Sequence, residues 1–220
     1  MAKIILVPTS HIARESLERV RKTIENEKPD CVAVELDINR YHYLKERGSE
    51  STLDMIRVLG LPTFLIYWVL KKFQDYFGKK TGILPGSEMM EAIGMGRERG
   101  ITIALIDRPI EITLFKIRKT SLSEKLTLFK LLIMGVLGIA IPFGKKHKFN
   151  LNLVPPKEII KQAMGYLKKE LPGFYRILVS ERNAVMAKNL KELGKKFDKI
   201  VCVIGAGHEK GMKELLELKA

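Results

Sequence analysis

A chain of 220 residues, 46% apolar and 29% charged, is long enough to bury one sizeable core, and its composition argues against a disordered or fibrous protein. Its 39 Lys and Arg against 25 Asp and Glu leave a net charge of +14, which suggests an anionic partner without choosing among nucleic acid, acidic lipid and substrate. Cys31 and Cys202 each sit in an apolar run and form no CxxC pair, which argues against a disulfide framework or a zinc site and reads as buried thiols in a reducing compartment.

The opening "MAKIILVP" lacks the long apolar core of a signal peptide, so the chain is expected to be cytoplasmic. Residues 4–7 are continuously apolar and predict a strand covered on both faces, as in parallel α/β sheets. "ARESLERVRKTIENE" follows, with Leu17, Val20 and Ile24 at helical spacing on one face. Residues 31–34 repeat the strand signal. "GSEMMEAIGMGRERG" predicts a helix capped by Ser87 and stopped by Gly100, and residues 101–106 predict a third strand. "SERNAVMAKNLKELGKK" predicts a helix starting at Ser180 with Val185, Met186 and Leu190 as its buried stripe, and residues 200–204 predict a fourth strand. The pattern predicts a single α/β domain over residues 1–220, a mostly parallel sheet flanked by helices. Two helical, unusually apolar stretches, about 51–80 and 113–171, read as insertions into it. Only two glutamines, Gln74 and Gln162, beside abundant lysine suit a thermophilic source.

Polar groups collect at the ends of the predicted strands. The first ends in Thr9, Ser10 and His11, and the second in Glu35, Asp37 and, after a turn, Arg40. The third ends in Asp107 and Arg108, and the fourth in Gly207 and His208. Open parallel sheets bind ligands outside the carboxyl ends of their strands. Two histidines and a carboxylate with open positions make a minimal metal site, and Asp107 is either a further ligand or a group that orients a histidine. Each residue alone also has a plainer explanation: a loop hydrogen bond for a histidine, an ion pair with Arg40 or Arg108 for Glu35. Both explanations stay open on spacing alone. His42 and His147 read as surface histidines. "GAGHEKG" misses the dinucleotide fingerprint by one residue, and neither a phosphate loop nor HExxH is present. No nucleic-acid partner is expected, because the basic residues flank apolar stretches rather than exposed aromatics.

"PTSHIARESLERVRKTIENEKPDCVAVELDINRY", "PGSEMMEAIGMGRERGITIALIDRPIEITL" and "ERNAVMAKNLKELGKKFDKIVCVIGAGHEKGM" resemble the three main blocks of the TraB/PrgY family, in the family's order and over nearly the whole chain. That family is similar to the TIKI metal-dependent proteases and to the ChaN and erythromycin-esterase group, and it includes archaeal members and proteins that shut down or bind peptide pheromones. Its signature is two Gly-x-x-His motifs with a glutamate between them. The second motif is intact at Gly205 to His208; in the first, Pro8 replaces glycine ahead of His11 and alters the turn. Asp37 stands where many archaeal members carry cysteine. The resemblance implies a metal-dependent hydrolase acting on peptides. It would hold Mn²⁺, Co²⁺ or Zn²⁺ on His11, Glu35 and His208, with Asp107 beside them. Glu35, Arg40, Arg108 and Arg182 fall on family positions and are the implied catalytic residues, the arginines steadying an oxyanion or a substrate carboxylate. The alternative is a protein that binds or sequesters a peptide without cleaving it.

The insertions carry a further expectation. "LTLFKLLIMGVLGIAIPF" is free of charge only from residue 131 to 143, short of the roughly 20 residues that span a bilayer. Arg118, Lys119 and Lys125 precede it and Lys145, Lys146 and Lys148 follow, while "FLIYWVL" is followed by Lys71 and Lys72. Such surfaces predict a homodimer in which the insertions cover each other across a two-fold axis, with an anionic membrane surface as the alternative contact.

Overall fold

The computed structural model describes residues 2–10, 14–46, 60–61, 63–64, 68, 72, 86–136 and 156–218. Its centre is a parallel sheet of β1 (Lys3–Thr9), β2 (Cys31–Val34), β3 (Thr102–Leu105) and β4 (Lys199–Gly205), ordered β1-β4-β2-β3. These are the predicted strands, and the fold class is α/β as expected. Val7 lies beside Val203, and Val32 lies between Val201 and Ile103. Because side chains alternate along a strand, Val32 and Val34 face one layer while Cys31 and Ala33 face the other; all four are fully buried, which is why the run is apolar at every position.

Helices cover both faces. On one, α1 (Arg14–Glu27) contributes Val20 and Ile24, and the helix over Ser87–Glu98 contributes Met89, Ala92 and Ile93. On the other, Met186, Ala187 and Leu190 of Glu181–Leu193 and Met212 of Glu209–Leu216 pack on Cys31, Cys202, Ile200 and Ile204. Each such buried aliphatic contributes roughly 1.5–3 kcal/mol over its exposed state. Burial pushes the Cys31 thiol up to about 11, so it is a packed, protonated group as the sequence suggested.

In chain order the remaining helices are α2 (Ile38–Glu46), α3 (Ser87–Glu98), α4 (Ile110–Arg118), α5 (Leu122–Val136), α6 (Lys157–Glu170), α7 (Pro172–Tyr175), α8 (Glu181–Leu193) and α9 (Glu209–Leu216). The described parts of the second insertion form a separate small core, in which Leu171 and Phe174 meet Ile117, Leu128, Phe129 and Leu167. Glu124 fixes this layer by accepting the backbone N–H groups of Gly173 and Phe174 at the start of α7. The first insertion lies almost wholly outside the described residues. Among the described residues no helix is long and apolar enough to cross a membrane, yet Ile112, Phe115, Leu122, Leu126 and Ile133 are all exposed.

Two helix ends differ from the sequence reading and one agrees. Gly100, at φ 66°, stops α3 as expected: Ile101 N–H reaches the Gly96 carbonyl and Gly100 N–H reaches Arg97, the bond pair of a Schellman end. Ser87, expected as the N-cap, is the first helical residue instead; Gly86, at φ 87°, takes the cap position. Ser180 caps nothing. The chain enters α8 through a π-helical turn, Arg176–Ser180, so Ser180 keeps helical φ/ψ of −63°, −49°. Glu181 N–H bonds the Arg176 carbonyl five residues back, a wide turn often found beside functional residues.

Candidate functional site

Glu35 follows β2 immediately and is 3% exposed. A carboxylate there survives only with compensation. Its Oε2 accepts the Gly205 N–H at 2.7 Å, at the end of the neighbouring strand β4. Its Oε1 accepts from Arg182 Nη2 and lies 3.2 Å from His208 Nε2. Burial pushes the Glu35 pKa upward, but His208, Arg182 and the Gly205 N–H outweigh it and hold the carboxyl far below the usual range.

Arg182 is the hub. Its Nε donates to Asp107 Oδ2 at 3.0 Å and its Nη2 to the same oxygen at 2.6 Å, while Nη1 donates to the Leu178 carbonyl at 3.2 Å and lies 3.3 Å from His208 Nε2. Burial works against this charge; Glu35 and Asp107 more than offset it and raise the guanidinium pKa further. Arg40, on α2, approaches Asp107 Oδ2 at 3.5 Å from the rim. Two buried carboxylates are thus met by one buried and one half-buried arginine.

His208 occupies the turn from β4 into α9. Its backbone N–H bonds the Gly205 carbonyl at 2.9 Å and its own carbonyl accepts Met212 N–H at 2.9 Å, so the position is fixed from both sides. The ring's Nδ1 lies 2.6 Å from Asn183 Oδ1. Consecutive residues of α8, Arg182 and Asn183, therefore address opposite nitrogens of one imidazole. The π-helical turn ahead of them supplies the carbonyls of Ile177 and Leu178 as acceptors for Arg108 and Arg182.

The predicted residues divide into three groups. Glu35, Asp107, Arg182, Arg40 and His208 come together. Arg108 is turned away: its Nε reaches Thr113 Oγ1 at 3.0 Å, Nη1 reaches Glu181 Oε2 at 2.7 Å and Nη2 reaches the Ile177 carbonyl at 2.7 Å. It bolts α4 to the π-helical turn and α8, with its donors spent on structure. Asp37 caps α2 through Oδ1, which accepts Asn39 N–H at 2.9 Å and Arg40 N–H at 3.2 Å. His11 and His147 lie outside the described residues, and His42 is exposed on α2 as expected. Glu35 Oε1 and His208 Nε2 are two facing donors to an ion; among the described residues no third His, Cys, Asp or Glu joins them as a metal-holding group. Asn183 was not singled out from the sequence. The signal was available, since positions 183, 186, 187 and 190 form the buried stripe of α8 and an asparagine there is a polar residue on an apolar face.

Comparison with known proteins agrees with the resemblance seen in the sequence. The model of the TraB/PrgY/gumN family matches residues 2–137 and 149–220. An uncharacterized protein of Methanocaldococcus jannaschii is 36% identical over 219 residues, covering 97% of this chain and 53% of that protein. The human and bovine proteins named TraB domain-containing protein are each 26% identical, again over 97% of this chain and over 62% of their own length. The chain spans about half to three-fifths of the curated relatives it matches.

Proposed function

Because the chain belongs to the TraB/PrgY/gumN family, we propose that the crevice at the strand ends is the centre of a metal-dependent hydrolase acting on peptides. The observation that carries this is the meeting of Glu35 Oε1 and His208 Nε2 at 3.2 Å, with the other ring nitrogen held by Asn183. The donor set suits Mn²⁺, Co²⁺ or Zn²⁺, held by His208, Glu35 and His11. Such an ion supplies a polarised carbonyl and an activated water when bound. The Arg182 guanidinium already touches both facing ligand atoms and behaves as a resident cation there. Asp107 offers it a berth through Nε and Nη2 when Glu35 is otherwise engaged. Arg40, half exposed at the rim, is placed to meet a substrate carboxylate.

Calorimetric titration with Mn²⁺ and Co²⁺ tests the assignment. His208→Ala and His11→Ala are expected to lose about 10-fold or more in affinity, while His42→Ala and His147→Ala bind as the parent does. Equal affinity in all four variants defeats it. A second reading, peptide binding without turnover, is favoured by the charge balance: Arg182 and Arg40 neutralise Glu35 and Asp107 with no ion present. Incubation of the protein with a peptide library and each metal separates the two, through cleavage or through retention of intact peptide.

We also propose that the apolar helices are a contact surface. Phe115, Leu122 and Leu126 are each more than half exposed, and Lys119 lies over the Phe115 ring. Light scattering without detergent is expected to give twice the monomer mass. A monomer there, with retention on anionic liposomes, would instead assign the surface to a membrane.

A further inference from the structure

The single proton of a neutral His208 ring has two acceptors competing for it from opposite sides. Asn183 Oδ1 lies 2.6 Å from Nδ1, and the Glu35 carboxylate lies 3.2 Å from Nε2. An ionised carboxylate is ordinarily the stronger acceptor, and left alone it would draw the proton to Nε2 and cover that lone pair. Two features tip the balance. Asn183 is 5% exposed and its amide oxygen can only accept. Arg182 Nη1, a pure donor, stands 3.3 Å from Nε2 and needs a lone pair there.

We propose that Asn183 is a positioning residue: it keeps the proton on Nδ1 of His208 so that Nε2 presents its lone pair to the crevice, and Gly211 is bare to make room for it. The role of Nε2 as a ligand rests on the reading given above; the placement of the proton does not. The room is specific to this amide. A Cβ built on Gly211 would lie 2.3 Å from Asn183 Nδ2. Gly211 is within α9, where alanine is ordinarily the better helix former. The glycine here makes space on the outside of its helix for a side chain of α8. Asparagine also fits better than aspartate would, because a neutral acceptor adds no third buried carboxylate beside Glu35 and Asp107.

The test uses the full chain with ¹⁵N-labelled histidine and reads the ring nitrogens of His208 in long-range ¹H–¹⁵N spectra, alongside Mn²⁺ titration. The parent protein is expected to show a protonated Nδ1. Asn183→Leu removes the acceptor and is expected to move the proton to Nε2 and to weaken Mn²⁺ binding by about 10–100-fold. Asn183→Asp keeps an acceptor and is expected to keep the proton on Nδ1. Gly211→Ala leaves Asn183 in the chain but crowds its Nδ2; it is expected to repeat the shift seen in Asn183→Leu, and it serves if that variant does not fold. A protonated Nδ1 in Asn183→Leu and Gly211→Ala alike overturns the proposal. If the proton moves as expected while no form of the protein binds Mn²⁺ or Co²⁺, the positioning role stands and the metal reading falls.

Discussion

Replacing Arg182 with leucine is expected to lower folding stability by about 3–5 kcal/mol, the cost of stripping one partner from a buried ionic cluster. Its guanidinium serves Glu35, Asp107, His208 and the Leu178 carbonyl from a side chain 13% exposed, against 4% and 3% for the two carboxylates. Leucine would leave Glu35 with the Gly205 N–H and His208, and Asp107 with the more distant Arg40 and its neighbour's backbone. Lysine restores the charge but not the planar fork that reaches two carboxylates at once, so Arg182→Lys should fall between the two. Glu35→Gln combined with Arg182→Leu should cost less than the sum of the single changes, because each removes the other's partner. Urea unfolding of the four proteins measures this; a loss below about 1 kcal/mol in Arg182→Leu would mean that the cluster is solvated and structurally idle.

Acid is expected to remove a large share of the stability through Glu35. The folded carboxyl titrates far below its ordinary value, because His208, Arg182 and the Gly205 N–H together overcome the burial that would raise it. A group whose folded pKa is depressed contributes stability that is fully present above its unfolded value, near 4.5. That contribution is lost as pH falls below it toward the folded value. The stability gap between the parent protein and Glu35→Gln should therefore be widest at about pH 7 and narrow steadily toward pH 3. Glu181 adds a smaller slope of the same sign, since Arg108 and Lys116 outweigh its partial burial. Parallel stability curves for parent and Glu35→Gln across that range would rule Glu35 out as the titrating group.

The sheet was legible because a strand buried on both faces has little choice of composition, and the runs around Val32 and Val201 are apolar at every position for that reason. Glu35 was legible too, as a carboxylate that "CVAVELD" leaves nowhere to go. Its partner was not. Sequence proximity suggested Arg40 or Arg108, whereas the contact is to Arg182, 147 residues away. Only the insertion of β4 between β1 and β2 brings α8 over the end of β2, and no local pattern encodes that order. Arg108 misled for the converse reason: it stands at a strand end, beside Asp107, but its guanidinium runs back into the helical layer toward Thr113 and Glu181. Ser180 misled because serine ahead of an acidic turn looks the same whether a helix starts there or merely passes through in a wider coil.

The strand order also sets a timetable for synthesis. Since β4 lies between β1 and β2, the two earliest strands have no partner in each other, and β1 has no hydrogen-bonded neighbour at all until the last strand arrives. On the ribosome, the first two hundred residues or so must wait with those edges unpaired, a state that invites chaperone capture and edge-to-edge association. The same late event delivers the Gly205 N–H and the His208 ring to a carboxylate made long before. Glu35 therefore stays without its final partners for nearly the whole of translation, and the chemistry of the crevice begins only when the barrier to sheet closure has been crossed.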